Sequence, residues 1–260
     1  MKKVVVCYKW LLDDADIRVN EKSRQLDFEK AKFKLNEYDR NGIEAGVQVK
    51  AAGGSELIGV TCGNGVEASA KDALSRGLDS VSYVNSAALA DADSRATART
   101  LAAVIKNIGD VDVVICSEAS SDEYAQQAGS RVAAILGIPC VTYVNAIEVT
   151  GDTLKLSRKL DDGVEHVEVK MPAVISVVPD VNDPPIPSVK QILGAKKKPA
   201  NAVTLEAIGL TEADLQPQLA TVSVLAPVVE RKNIRMNPDG TSLADAAANL
   251  VKQLAADGVL

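Results

Sequence analysis

The sequence predicts an α/β protein built on a parallel sheet, and three observations carry that prediction. Short β-branched runs alternate with longer stretches of helical periodicity. The runs are apolar at nearly every position. Beyond residue 139 the pattern changes to alternating strands broken by turn dipeptides. Alternation of the first kind, with strands apolar throughout, implies a sheet covered by helices on both faces. Crossovers in such sheets are right-handed, so the expected architecture is a doubly wound, Rossmann-like parallel sheet. The later pattern adds an antiparallel hairpin extension, and the chain should end in a C-terminal arm.

The elements follow in order. Val4-Val5-Val6 opens the chain, helical spacing covers 38–51, and a second apolar run spans 57–60. Helical spacing returns over 66–76, a strand is expected at 81–84, and another helix at 94–107, where Leu101, Val104, Ile105 and the following Ile108 share one face. The fourth apolar run is 111–115. The stretch "VTYVNAIEVTGDTLKLSRKLDDGVEHVEVKMPAVISVV" alternates and breaks at Gly151-Asp152 and Asp162-Gly163, which are strong hairpin signals. In "PDVNDPPIPSVKQILGAKKKP", Pro184, Pro185 and Pro187 exclude a helix across themselves and remove backbone donors. Residues 180–235 read as an arm. "SLADAAANLVKQLAADG" is an amphipathic helix with Ser242 as cap and Gly258 as stop.

An apolar fraction of 47% over 260 residues suffices for a full core, and with aromatics at 3% that core must be aliphatic. The net charge of −6 argues against nucleic acid as the main partner. Cys7, Cys62, Cys116 and Cys140 form no C-x-x-C pair and no zinc-like spacing, so neither a metal site nor a disulfide framework is expected. The start, "MKKVVVCYKW", is too short in apolar residues for a signal peptide, and no apolar run is long enough for a membrane span. A cytoplasmic location is expected.

Ligands of open parallel sheets lie beyond the carboxyl ends of the strands. Cys7, Cys62 and Cys116 fall at three such ends, either as small side chains that let a ligand approach or simply as small buried hydrophobes. After the last of them comes "CSEASSDEYAQQAGSRVAAILGIP". Ser120-x-x-Glu123 reads as a capping box and places a helix N-terminus there, with free N–H groups that suit an anion. Gln126, Gln127 and Ser130 could add hydrogen bonds, and Arg131 could meet phosphate or solvent. Asp122 and Glu123 would repel a phosphate unless they face away or bind ribose; a capped surface helix is the alternative. "CGNG", residues 62–65, offers a weak G-x-G that a tight strand–helix turn also explains. His166 reads as a solvated strand residue. No motif for hydrolysis occurs.

Taken together, these motifs resemble the β subunit of electron transfer flavoproteins. "CYKWLLDDADIRVN" and "LNEYDRNGIEAGVQVK" are similar to the N-terminal segment of that family, "VTCG" to its second strand end, and "SSDEYAQQAG" to its nucleotide loop. "RKLDDGVEHVEVKMPAVIS" resembles its signature, and "IPSVKQILGAKKKP" its recognition loop and lysine cluster. "DVNDPPIPS" is closest to the Fix-type branch. The resemblance covers about residues 1–200.

The resemblance implies a heterodimer with an α subunit that carries the main FAD, while the β subunit holds AMP or a second FAD. Nucleotide contacts carried over from the family fall on Cys7, Asn36, Glu37, Tyr38, Asp39, Cys62 and Gly63. They continue on Asp122, Glu123, Tyr124, Ala125, Gln126, Gln127, Ala128, Gly129, Ser130, Arg131 and Ala134. Backbone donors of 123–129 would bind pyrophosphate, and Asn36 and Asp39 would orient the adenosine side. Val189 matches an apolar anchor for a dehydrogenase, with Ile186, Ile192 and Leu193 beside it; Lys196, Lys197 and Lys198 read as a solvated tail. Tyr124, Ala125 and Glu37 depart from the family pattern, which leaves room for FAD. The implied function is an electron carrier, of the electron-bifurcating kind: NADH as transient donor, ferredoxin or flavodoxin as one acceptor, and the α-subunit FAD with an acyl-CoA dehydrogenase or reductase as the other. Residues 1–180 would be the nucleotide-binding domain, and 181–260 a recognition loop, arm and helix docking on the α subunit. A non-bifurcating carrier with structural AMP, or a nucleotide-binding regulatory domain like the universal stress proteins, is the alternative.

Overall fold

The computed structural model describes residues 1–228, 231, 233–236 and 240–260. In chain order the strands and helices are β1 (Lys3–Cys7), β2 (Trp10–Leu12), β3 (Arg18–Val19), β4 (Leu26–Asp27), β5 (Phe33–Leu35), α1 (Glu37–Gly53), β6 (Glu56–Gly63), α2 (Ala70–Ser75), β7 (Ser80–Asn85) and α3 (Ser94–Ile108). There follow β8 (Val111–Ser117), α4 (Ala128–Leu136), β9 (Cys140–Thr150), β10 (Thr153–Leu160), β11 (Gly163–Lys170), β12 (Ala173–Val177), α5 (Val189–Ala195), β13 (Ala200–Ala202) and α6 (Leu243–Ala256).

One nine-stranded sheet runs β11-β10-β9-β12-β8-β1-β6-β7-β13. From β9 through β13 every neighbouring pair is parallel, whereas β9, β10 and β11 form the expected antiparallel extension. β1 shows why the strands read as continuous apolar runs. Val4 and Val6 pack with Ile43, Ala45 and Val49 under α1, while Val5 and Cys7 pack with Ala98, Leu101 and Val132 under α3 and α4. With both faces covered, no position is free to be polar.

The first hairpin turns where its dipeptide predicts, and the second turns one residue earlier. Gly151 takes φ +62 between β9 and β10, and the second turn falls on Asp161-Asp162, with Gly163 paired to Leu160 as the first residue of β11. α3 is capped by Asp93, whose side chain accepts from the Ala96 N–H at 2.8 Å. α1 lies close on the sheet because Gly46 has no side chain. A Cβ there would stand 2.7 Å from Val6 Cγ2 and 2.8 Å from Leu57 Cδ1.

After β12 the chain stays with the sheet for longer than its composition suggests. Prolines 184, 185 and 187 lie outside regular structure, as expected, but a short helix, α5, starts directly behind them. Ser188 and Gln191 form its capping box, a signal masked by the prolines before it. β13 then extends the sheet beside β7, and Leu205, Leu210 and Leu215 enter the core. Lys198 is no solvated tail: its ammonium donates to the carbonyls of Leu74 at 3.1 Å and Leu78 at 2.6 Å, satisfying the end of α2. From Gln216 onward no described residue is buried. α6 begins at its Ser242 cap and ends before Gly258 at φ +70, as read from the sequence.

Gly46→Val should lower the stability of the fold by roughly 1–3 kcal/mol through overpacking between α1 and the sheet, read as a lower urea midpoint. Gly163→Ala, with nothing within 4 Å of the added methyl, should leave that midpoint unchanged.

Candidate functional site

The strand order reverses between β1 and β8. From β1 the chain passes through α1 to β6 and on to β7; it then returns through α3 to β8, on the other side of β1. In an open parallel sheet such a reversal leaves a crevice at the carboxyl ends. Cys7 and Cys116 lie at the ends of the two strands and are both buried; the neighbouring Cys116 thiol and burial push the Cys7 thiol well above the ordinary range. Cys62, one strand further, is pushed up to about 12 by burial, and its Sγ lies 3.9 Å from the Thr97 carbonyl. Cys7 and Cys62 are thus protonated thiols and poor nucleophiles, and they act as small hydrophobes. Cys140 is exposed at the start of β9. Among the described residues no cluster of His, Cys, Asp and Glu is placed to hold a metal ion.

The first turn of α1 braces both walls of the crevice. Asp39, 3% exposed, accepts the Lys9 N–H at 2.7 Å from the β1 side and the Ser117 hydroxyl from the end of β8. Asn36, the N-cap position of α1, donates to the Ala119 carbonyl at 3.0 Å and accepts from the Ser121 N–H at 3.2 Å. Burial raises the Asp39 carboxyl to about 6, against the opposing pull of its hydrogen bonds from Ser117 and Lys9. Glu37, also expected at the site, is ion-paired at 3.1 Å with Lys34, which holds Asp13 and Asp14 as well.

The loop after β8 differs from the capping-box reading. Residues 121–123 make a turn closed by the Tyr124 N–H on the Ser120 carbonyl at 3.0 Å, and α4 begins only at Ala128, with Gln127 at its cap position. The backbone explains why: Tyr124 and Gln126 take φ +48 and +56, left-handed values that end any helix started at Ser120. The amides of Ala125, Gln126 and Gln127 make no hydrogen bond to any described residue. Behind them α4 presents the free amides of its first turn. Gly129 lets this helix sit against the strand ends, since a Cβ there would be 3.4 Å from that of Cys116 and 3.6 Å from that of Ser176.

The two acids that should repel an anion are engaged. Lys9 Nζ pairs with Asp122 at 2.7 Å and reaches Glu123 at 3.9 Å. Burial alone would raise the Asp122 carboxyl, yet Lys9 and Ser120 hold it below the usual range. Gln127 accepts from Ser94 at 2.7 Å and from Arg131 at 2.9 Å, so it fixes the start of α4 to α3. Tyr124 donates to Glu118 at 2.8 Å and packs edge-on against Tyr38, with ring centroids 5.7 Å apart; Tyr143 donates to Gln126 at 3.4 Å. Gly63 and Cys62 lie at the end of β6. The G-x-G that Gly63 begins is a tight turn, with Gly65 at φ +73 and its amide already bonded to Asn85 at 2.7 Å. Ser130, Arg131 and Ala134 are exposed on α4.

Lys9, Ser117, Glu118 and Tyr143 belong to this constellation and were not singled out from the sequence. Lys9 stands two residues past Cys7, the end of β1. Nothing local marks Tyr143, which reaches the loop only through the β9 pairing. Elsewhere, His166 lies on β11 beside Ser157 at 3.0 Å, as a strand residue. Ile186, Val189, Ile192 and Leu193 are all exposed, Ile186 to 93% and Val189 to 73%. Val189 is thus no buried linker residue. No helix among the described residues is long and apolar enough to cross a membrane.

Because the folded Asp39 carboxyl titrates near 6 and an unfolded one near 3.8, its contribution to stability is complete below about pH 4 and is lost as pH rises through 6. Relative to Asp39→Asn, the wild-type chain should lose about 3 kcal/mol between pH 4 and 7.5. Urea unfolding of both proteins across that range checks this; parallel curves would contradict it.

The electron transfer flavoprotein domain model matches residues 25–208, more than two thirds of the chain. That stretch contains the bracing turn of α1, the ends of β6 and β8, the loop with its free amides, the hairpin extension and α5. The chain belongs to the electron transfer flavoprotein domain family.

Proposed function

We propose that the chain is the β subunit of a heterodimeric electron transfer flavoprotein of the Fix-type branch, and that it holds FAD, with AMP as the alternative, over the ends of β1 and β8. The observation that carries this reading is the run of unbonded amides from Ala125 into the first turn of α4, set at a strand-order reversal within the matched domain. Such amides suit a pyrophosphate, and the Lys9 contacts to Asp122 and Glu123 remove the repulsion that the acids would otherwise exert.

On this reading Asn36 and Asp39 set the adenosine side by fixing the positions of the β1 end and the 117–121 segment. Cys7, Cys62 and Gly63 keep the strand ends low enough for a ligand to approach. A bound flavin supplies the one- and two-electron chemistry, and the protein orients it and sets the polarity around it. NADH would be the transient donor, with ferredoxin or flavodoxin and an acyl-CoA dehydrogenase or reductase as acceptors.

Partner contacts are assigned to the region from residue 181 onward. Ile186, Val189, Ile192 and Leu193 expose apolar surface behind a proline-stiffened segment, which suits docking of the dehydrogenase. Leu219, Val222, Val224 and Val228 of the arm, with Leu243 and Val251 of α6, are exposed apolar groups suited to an α subunit. A cytoplasmic location belongs to the same proposal.

Flavin and nucleotide analysis of the purified complex tests the assignment. Two FAD per heterodimer are expected; one FAD with AMP would remove the bifurcating role, and no nucleotide in this chain would remove the reading itself. Lys9→Ala should lower nucleotide retention, because it leaves Asp122 and Glu123 unneutralised beside the free amides, without changing the melting temperature, since the pair it breaks is partly exposed. Val189→Glu should cut electron transfer to the dehydrogenase at least ten-fold at unchanged cofactor content, measured by coupled acyl-CoA reduction or oxidation.

A further inference from the structure

Three of the chain's five tyrosines gather at the mouth of the crevice, in a protein whose aromatic residues amount to 3%. They are Tyr38 on α1, Tyr124 on the loop and Tyr143 on β9. Tyr124 is 48% exposed, and its ring is nevertheless fixed at three points. The backbone is held at φ +48, the phenol oxygen is tied to Glu118 at 2.8 Å, and Tyr38 stands against the ring at an interplanar angle of 68°. Tyr143, itself at φ +59, reaches the same loop through Gln126. An exposed aromatic ring without a partner ordinarily samples several rotamers. Here the loop carries left-handed strain at two non-glycine residues, and the ring it presents has its orientation fixed. The unbonded amides begin at the very next residue, Ala125.

Resting on the nucleotide reading above, we propose that Tyr124, steered by Glu118 and Tyr38, is the stacking surface for the planar heteroaromatic ring of a phosphate-bearing dinucleotide, and that it selects such a ligand over an adenine mononucleotide. The phosphate-binding amides and the ring surface are contiguous in the chain, so one ligand must carry both features, a diphosphate and a second ring. A flat π-face accepts another flat ring in offset or edge contact, and nearly half of Tyr124 stays open to one. The hydrogen bond to Glu118 pushes the Tyr124 phenol up to about 12, so the ring stays neutral across the physiological range. Glu118 is a positioning residue: it acts on the ligand only through the tyrosine.

The test uses the full chain with any subunit that co-purifies, stripped of nucleotide and titrated separately with FAD and with AMP. Tyr124→Leu should weaken FAD binding about ten-fold and leave AMP binding within two-fold, while Tyr124→Trp restores FAD affinity. Fluorescence of the flavin bound at this site should rise in Tyr124→Leu, because the quenching ring is gone. Glu118→Gln should give a smaller loss for FAD alone. Equal losses for FAD and AMP would mean that the ring merely supports the loop, and no loss for FAD would mean that it is not at the site; either result overturns the proposal. If the unaltered chain takes up neither nucleotide, the underlying reading fails too, which separates the two ideas. Melting temperatures of all variants within a few degrees of wild type exclude a folding defect as the cause.

Discussion

The carboxylate of Asp39 ties together two strand ends that the winding of the sheet would leave apart. At the reversal of strand order the chain leaves β1 toward one flank and leaves β8 toward the other, so no connection spans the gap between them. Asp39 closes it from below, taking the Lys9 amide on one oxygen and the Ser117 hydroxyl on the other. Asn36, one turn earlier, does the same for Ala119 and Ser121. Both can reach because α1 lies close on the sheet, and it lies close because Gly46 leaves room for Val6 and Leu57. The crevice geometry therefore follows from the packing of α1 on the sheet.

Holding the loop open has a cost. Tyr124 and Gln126 sit in a backbone region that costs a residue with a Cβ about 1–3 kcal/mol. The hydrogen bonds from Asn36 to the loop, from Tyr124 to Glu118 and from Ser94 to Gln127 each return about 1 kcal/mol, the usual net value. The half-exposed pair of Lys9 and Asp122 adds under about 1 kcal/mol. Strain and restraint are thus of similar size, so the loop is near balance. A ligand that satisfied the free amides would shift it toward order.

The fold was legible where one physical signal decided each element. Apolar runs marked β1, β6, β7 and β8, helical spacing marked α1 and α3, and glycine dipeptides marked the hairpins, because in each case local pattern and tertiary role agree. The capping box at Ser120 misled for an instructive reason. Its side-chain chemistry was right for a helix start, but left-handed backbone at Tyr124 and Gln126 cannot be read from residue types that rarely adopt it. Lys9 and Tyr143 escaped because their partners lie far along the chain and meet them only through sheet register. Lys198 escaped in the opposite way: three consecutive lysines look solvated, yet the third finds the orphan carbonyls at the end of α2.

The C-terminal region poses a different physical problem. Beyond Leu215 the chain carries Leu219, Val222, Val224, Leu225 and Val228 with large exposed area, and polar contacts hold it: the Gln216 carbonyl accepts from Arg95 at 3.0 Å, the Gln218 amide donates to Asp93 at 2.8 Å, Leu225 bridges to Gln25, and the Ala226 amide donates to the Arg24 carbonyl at 2.9 Å. α6 has a cap and an amphipathic pattern but buries none of its residues. A helix of 14 residues is marginal in water without a surface to cover its apolar stripe. Among the described residues the core clusters draw nothing from beyond Leu215. On the proposed reading that surface belongs to the α subunit, so arm and helix gain their stability at assembly. The crevice between β1 and β8 is different: its walls are braced by the chain itself, and its geometry does not wait for a partner.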